Sequence, residues 1–315
     1  MTKESVKKGL LAGLHTTWTL GKVIFPVTLI ISILQYTPVL GWITTIIAPL
    51  MHLFGLPGEA AIPLVLGKFL NLYAGIAGIL TLELSVKEVF IIAIMLSFSH
   101  NLLIESGVAM KVGVKLWMIL AVRIGLAVIS AVVINLVWNG GSDTAKYGFI
   151  SSAAPELEGA GAIVLYGIEK ALAGILQLAI IVIPLMVIIQ IMKDLKWLDA
   201  FSRLLAPFMR ILGMKPNASM TLVAGLTIGL AYGAGVMIQA VQEDNVSKKD
   251  ITLAFIFLVA CHAVVEDTLI FVPLGIPVLP LLLIRVVVAL LLTITVGYLW
   301  NRADITRRKE ATYGQ

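Results

Sequence analysis

The sequence predicts an all-α polytopic membrane protein with two inverted-topology repeats, each containing three spans, an interfacial helix and a re-entrant helical hairpin. Three observations lead to this fold class. Of 315 residues, 59% are hydrophobic and 13% charged, against about 25% charged in soluble domains, and the mean hydropathy is +1.02. Residues of the first half recur in order in the second. The distribution of Lys and Arg then reverses between equivalent segments. Composition alone excludes an ordinary water-soluble enzyme and a disordered chain.

A spanning helix needs about 20 mostly apolar residues, and stretches 9–36, 116–138, 171–192 and 279–300 provide them. The first follows Lys3, Lys7 and Lys8, as a signal peptide would, but exceeds the roughly 7–15 apolar residues of a signal core and reads as a retained span. Two shorter apolar runs follow the charged turns at 83–88 and 242–250 and end near His100 and His262. Segments 42–55 and 197–213 begin with Trp and carry an apolar stripe at helical spacing, the pattern of interfacial helices. The Gly-, Ser- and Ala-rich stretch 139–160 divides the chain. The expected organisation is a first repeat over 1–140, an external linker over 141–160, and a second repeat with a basic tail over 161–315.

Pro26, Ala48, Pro49, Met51, Gly55 and Gly67 recur 158 positions later as Pro184, Ala206, Pro207, Met209, Gly213 and Gly225. Past Gln242 the offset becomes 162, and Ser85, His100, Glu105, Ser106, Arg123 and Trp138 match Ser247, His262, Asp267, Thr268, Arg285 and Trp300. Duplication at this length is a transporter signature. Segment 193–215 carries Lys193, Lys196, Arg203, Arg210 and Lys215, whereas its counterpart 36–57 has no Lys or Arg. Because basic short loops stay cytoplasmic, equivalent segments face opposite sides. Both basic termini are expected in the cytoplasm, and the acidic linker outside a bacterial plasma membrane.

Each half must then cross the bilayer an odd number of times. Segments 58–82 and 219–242 are long enough to span but are broken by glycines, so they are assigned as re-entrant hairpins. Their Asn71, Tyr73, Tyr232 and Gln239 are uncharged candidates for lining a pathway. Lys68 is expected to snorkel or pair with an acid.

Charged side chains at the bilayer centre are costly and usually face the bundle interior. Arg123 and Arg285 lie inside apolar runs and are assigned to structural ion pairs with Glu105 and Asp267. The motif His-x4-acid-Ser/Thr occurs twice, as His100, Asn101, Glu105 and Ser106 and as His262, Glu266, Asp267 and Thr268, with Glu266 an extra acid in the second copy. On an unbroken helix His100 and Glu105 would point about 140° apart. A break near the motif would bring them together, and Gly107 just beyond the first copy and Pro273 beyond the second fit interrupted helices. Three readings are open: a solute and coupling-ion site, a divalent-metal passage, or polar groups that only pack the repeats.

The duplicated plan, with a hairpin followed by a broken helix carrying His-x4-acid, resembles the nucleoside-recognition, or Gate, membrane proteins. That family includes spore maturation membrane proteins and the permease part of bacterial ferrous-iron transporters, and it is distantly similar to concentrative nucleoside transporters. The resemblance covers residues 9–300 as two Gate units, with hairpins at Gly67–Gly78 and Gly225–Gly235 and broken helices at His100–Ser106 and His262–Thr268. No GxxxxGK[ST] loop occurs, so nucleotide hydrolysis is not expected.

The expected function is secondary or facilitative transport of a small polar solute, nucleoside-like or ionic, by alternating access. The alternatives are a non-transport scaffold in envelope or spore maturation and a divalent-metal permease. No enzymatic activity or cofactor is expected, and no metal is assigned. Expected partners are the solute or ion and membrane lipid, with a homodimer as a candidate assembly. A net charge of +5 gives no nucleic-acid footprint, and the single cysteine, Cys261, supports neither a disulfide framework nor a Cys-based zinc site.

Overall fold

The computed structural model describes residues 3–148, 157–231 and 233–313, with side chains 193, 198 and 304–313 not described. The chain is all-helical; among the described residues the extended pairing is one isolated bridge, Ser85 with Thr144. In order the helices are α1 (Lys3–Leu34), α2 (Pro38–His52), α3 (Ala61–Phe69), α4 (Leu72–Ile79), α5 (Val86–Ser99), α6 (Leu102–Lys111) and α7 (Leu116–Val137). They continue as α8 (Ala160–Asp194), α9 (Trp197–Leu205), α10 (Ser219–Ile228), α11 (Ala234–Glu243), α12 (Lys248–Ala260), α13 (Glu266–Leu269) and α14 (Val278–Tyr313).

Five segments among the described residues are long and apolar enough to cross a membrane: 3–34, 86–111, 116–137, 160–192 and 278–303. Six were expected. The remaining stretch, α12, has 13 residues before it breaks, short of the about 20 that a straight span requires. Four of the five segments bury only 22–33% of their most apolar window within the chain, whereas 86–111 buries 83%. Segment 86–111 therefore belongs to the protein interior, and its α5 portion is apolar all round, as a buried helix must be.

Two compact units are present, each drawing on both halves of the sequence. The first comprises Met1–Leu103, Ile124–Leu195 and Val265–Leu281. Its frame is an antiparallel pairing of α1 with α8. A Cβ added to Gly9 would lie 2.5 Å from Val187 Cα, one on Gly13 2.8 Å from Ile183 Cα, and one on Gly21 3.5 Å from Ile175 Cδ1. Gly167 faces Leu29 in the same register. Small residues let the two backbones approach, which drives helix association where lipid removes the hydrophobic incentive. In the same unit α3 and α4 fold back on one another, with Gly75 over Pro63 and Gly67, and Gly78 over Pro63 and Leu66.

α5 starts at a capping box, in which Glu88 N–H donates to Ser85 Oγ and Ser85 N–H donates to Glu88 Oε2 at 2.7 Å. Part of the interrepeat stretch is strapped across this start. Val86 N–H donates to Asp143 O and Lys87 N–H to Gly141 O, while Ala145 N–H donates to Leu84 O. Burial of Tyr147 beneath this strap raises its phenol pKa above the ordinary value. Ser85→Ala is expected to lower stability by about 1 kcal/mol, the usual worth of an N-cap. Thermal melting in detergent measures it.

The second unit comprises Ile104–Arg123, Lys196–Val264 and Leu282–Gln315. In it α9 docks on α10 through a hydroxyl pair, Ser202 with Ser219 at 2.8 Å. Gly213, in the left-handed region at φ +77°, lies against the Gly297 backbone of α14, 3.2 Å from where its Cβ would sit. Its counterpart Gly55 has φ +70°, and Gly113 and Gly275 form a second equivalent pair at +89° and +69°. Duplication therefore extends from residue identity to backbone conformation.

Candidate functional site

The sequence places a histidine at the end of each central helix, and the fold uses both to end it. In the first unit His100 leaves α5 in an extended conformation, with Nδ1 2.8 Å from Leu96 O. Asn101 follows at φ +51° and donates its backbone N–H to Gly67 O of the hairpin at 2.8 Å. In the second unit His262 Nδ1 lies 2.7 Å from Leu258 O, and Ala263, at φ +41°, donates its N–H to Gly225 O at 3.0 Å. Leu96 packs over Gly67, and Leu258 over Gly225. A methyl at either glycine would strike those leucines, so the small residue permits the approach that breaks the central helix.

These breaks fall at the start of the expected His100–Ser106 and His262–Thr268 segments, ahead of Gly107 and Pro273. Gly107 lies inside α6, and Pro273 lies in a short 3-10 turn beyond α13. The interruption falls at His100–Asn101 and 261–265, before the acids. Its cause is tertiary: the N–H that would continue the helix is redirected to a hairpin carbonyl.

Consequently each histidine meets an acid from the other copy. In the second unit Glu105 is 97% buried; its Oε2 lies 2.7 Å from Arg123 Nη2 and its Oε1 lies 3.3 Å from His262 Nε2. The Arg123 side chain is fully buried. In the first unit His100 and Asp267 each offer a ligand atom within 4.8 Å of the other. Also in that unit the Tyr73 hydroxyl donates to Glu266 Oε1, joining the first copy's hairpin to α13. Same-copy pairing of His100 with Glu105 was the expectation; the break instead puts the acid on a separate helix, so spacing along one axis no longer governs which groups meet.

Protonation follows from these contacts. A carbonyl oxygen can only accept, so Nδ1 of each histidine carries the proton and Nε2 of a neutral ring is an acceptor. His262 Nε2 thus faces the Glu105 carboxylate, an imidazole nitrogen 3.3 Å from Oε1. Arg285 supports the other end of this arrangement: its Nη2 donates to His262 O at 2.7 Å. It thereby places a fully buried cation at the broken C-terminal end of α12, where the helix dipole favours positive charge.

Among the other predicted residues, Asn71 caps α4, its Oδ1 accepting from Ala74 N–H at 2.9 Å. Asn101 provides the left-handed step of the break. Ser106 is buried with no hydrogen bond from its hydroxyl among the described residues. Thr268 is buried on α13 beside Asp267. Gln239 is exposed and donates to Glu243 Oε1 on its own helix. Tyr232 lies outside the described residues. Lys68 donates to Ser99 Oγ at 2.9 Å, next to His100, a hydroxyl contact that its spacing did not suggest.

The model for the Gate family, described as nucleoside recognition, matches residues 17–116 and 175–277, together well over half of the chain. The chain belongs to the Gate family. Each Gate match contains a hairpin, a helix break, a histidine and its acids, so Tyr73, His100 and Glu105 fall in the first and His262, Glu266 and Asp267 in the second. Arg123 and Arg285 lie beyond the ends of the two Gate segments. The chain is 66% identical over 300 residues to the uncharacterized membrane protein YvoD of Bacillus subtilis (strain 168), covering 95% of this chain and 96% of that relative. No solved structure matches.

Proposed function

We propose that this Gate protein is a secondary or facilitative transporter of a small polar solute, nucleoside-like or ionic, working by alternating exposure of the buried polar groups at its helix breaks. In this reading the two repeats have inverted topology in a plasma membrane, the hairpins are re-entrant, and both termini are cytoplasmic. The observation that carries it is the buried His262–Glu105 contact, an imidazole 3.3 Å from a carboxylate oxygen, a pair able to share a proton. A buried group whose contacts depend on a proton can couple solute movement to a proton gradient. The Glu105–Arg123 bond holds the carboxylate in place while that proton comes and goes.

The test uses purified protein in liposomes with an imposed pH gradient and a panel of nucleosides and nucleobases. The double replacement His100→Gln and His262→Gln is expected to reduce uptake by about tenfold or more, as when a hydrogen bond to a charged group is lost, with the melting temperature preserved. Unchanged uptake in the double variant would remove the histidines from the mechanism. A second reading, passage of a divalent cation, also satisfies acceptors that face one another, and the proximity of His100 to Asp267 favours it. Binding of zinc, ferrous or manganese ions alone to the wild type, abolished by Asp267→Asn, would select it over the proton.

A further inference from the structure

A second polar cluster, unrelated to the helix breaks, lies where α1, α8 and the end of α4 meet inside the first unit. Lys170 on α8 is 96% buried. Its Nζ donates to Thr81 O and to Tyr166 Oη, both at 3.3 Å, and stands over the Tyr166 ring at 5.4 Å. No carboxylate pairs with it among the described residues. Gln35 Nε2 also donates to Thr81 O, so Gln35 and Lys170 converge on one carbonyl, while the buried Gln35 Oε1 accepts from no described group. Ser32 lies in the last turn of α1, three residues before Gln35. It is fully buried, its hydroxyl has no hydrogen bond among the described residues, and it packs against Gly167, one turn before Lys170 on α8.

Capping the carbonyl at the end of α4 explains one N–H of Lys170. It explains neither the buried ammonium, whose charge needs an anion, nor the unused hydroxyl of Ser32 and amide oxygen of Gln35. Lys170 lies about 15 Å along α8 from the helix start, close to where the hydrocarbon gives way to headgroups if the helix is centred.

We propose that Lys170, Ser32 and Gln35 form a binding site for an oxyanion that also carries a hydroxyl, of the glycerophosphate type. The phosphate oxygens take the ammonium and the Ser32 hydroxyl, and the ligand hydroxyl donates to Gln35 Oε1. That chemistry is shared by a phosphatidylglycerol headgroup and by a free glycerophosphate.

The experiment follows the thermal midpoint of the full chain in dodecyl maltoside against dihexanoyl phosphatidylglycerol, glycerol 3-phosphate and dihexanoyl phosphatidylcholine. Wild type is expected to be stabilised in proportion to the logarithm of phosphatidylglycerol concentration, with no shift from phosphatidylcholine, which has no net charge or free hydroxyl. Lys170→Met, which keeps the aliphatic stem, should raise the Kd about tenfold or more. Ser32→Ala should weaken binding severalfold, and Lys170→Arg should retain it, so the site is testable even if Lys170→Met folds poorly. A response to glycerol 3-phosphate as well identifies a water-soluble ligand, and a response to the lipid alone identifies a headgroup. If neither glycerophosphate stabilises the wild type, or if Lys170→Met and Ser32→Ala respond as strongly as it does, Lys170 is a helix cap only and the site is refuted.

Discussion

Replacing Arg123 by Met is expected to cost about 3–5 kcal/mol, the range for removing one partner of a buried ion pair. Arg123 is fully buried and its Nη2 lies 2.7 Å from Glu105 Oε2. Without the guanidinium, the carboxylate keeps its desolvation cost and loses its strongest partner. The double variant Arg123→Met with Glu105→Met removes both charges and should recover most of the loss, because two apolar side chains of similar volume pack where the pair stood. Reversible unfolding in mixed micelles, run on both single variants and the double, gives the coupling energy directly. Additive single and double values would show that the pair does not interact.

The same variant separates stability from coupling. Glu105 also faces His262 at 3.3 Å, so losing the arginine removes a charged neighbour of the carboxylate and leaves the imidazole in place. Uptake by Arg123→Met, compared per folded molecule, should fall below wild type, because the carboxylate loses the arginine that positions it. Arg123→Lys retains the charge but not the planar guanidinium, and should fall between the two.

Much of this architecture is legible in the chain. Apolar runs locate the long helices, and the 158- and 162-residue offsets find equivalent positions. The fold treats the paired positions alike: Ser85 and Ser247 both cap helices, Gly55 and Gly213 share a left-handed turn, and Gly67 and Gly225 sit under a leucine. What the sequence hides is which residues turn the chain at the breaks. Glycine and proline are the usual marks, yet the left-handed residues are Asn101 and Ala263. An alanine at φ +41° has no local reason to be there. It is held by a hydrogen bond to Gly225 O, distant in sequence. The acid partners are hidden for the same reason: a spacing of five residues describes one helix, and the acids lie on another. Tyr73 and Glu266, 193 residues apart, carry no sequence signal of their contact beyond both being polar in apolar surroundings.

Gly13→Leu is expected to disrupt the α1–α8 pairing, with a loss of about 1–3 kcal/mol or more from overpacking. The first added atom would lie 2.8 Å from Ile183 Cα and 3.2 Å from its carbonyl oxygen, so the obstacle is backbone, and no rotamer change relieves it. The helices must separate or slide, which also opens the contacts at Gly9 and Gly21 in the same register. Gly125→Ala in α7 is the control: a Cβ there has no heavy atom within 4 Å, and the better helix propensity of alanine should raise stability by up to about 1 kcal/mol. Thermal melting of the two variants in one detergent should therefore move in opposite directions. Equal midpoints would mean that α1 and α8 do not approach as closely as their glycines allow. Because Gly13 is remote in sequence from the helix breaks, Gly13→Ala at a temperature where it stays folded should keep solute uptake per molecule near wild type, whereas the histidine double variant loses uptake while staying folded.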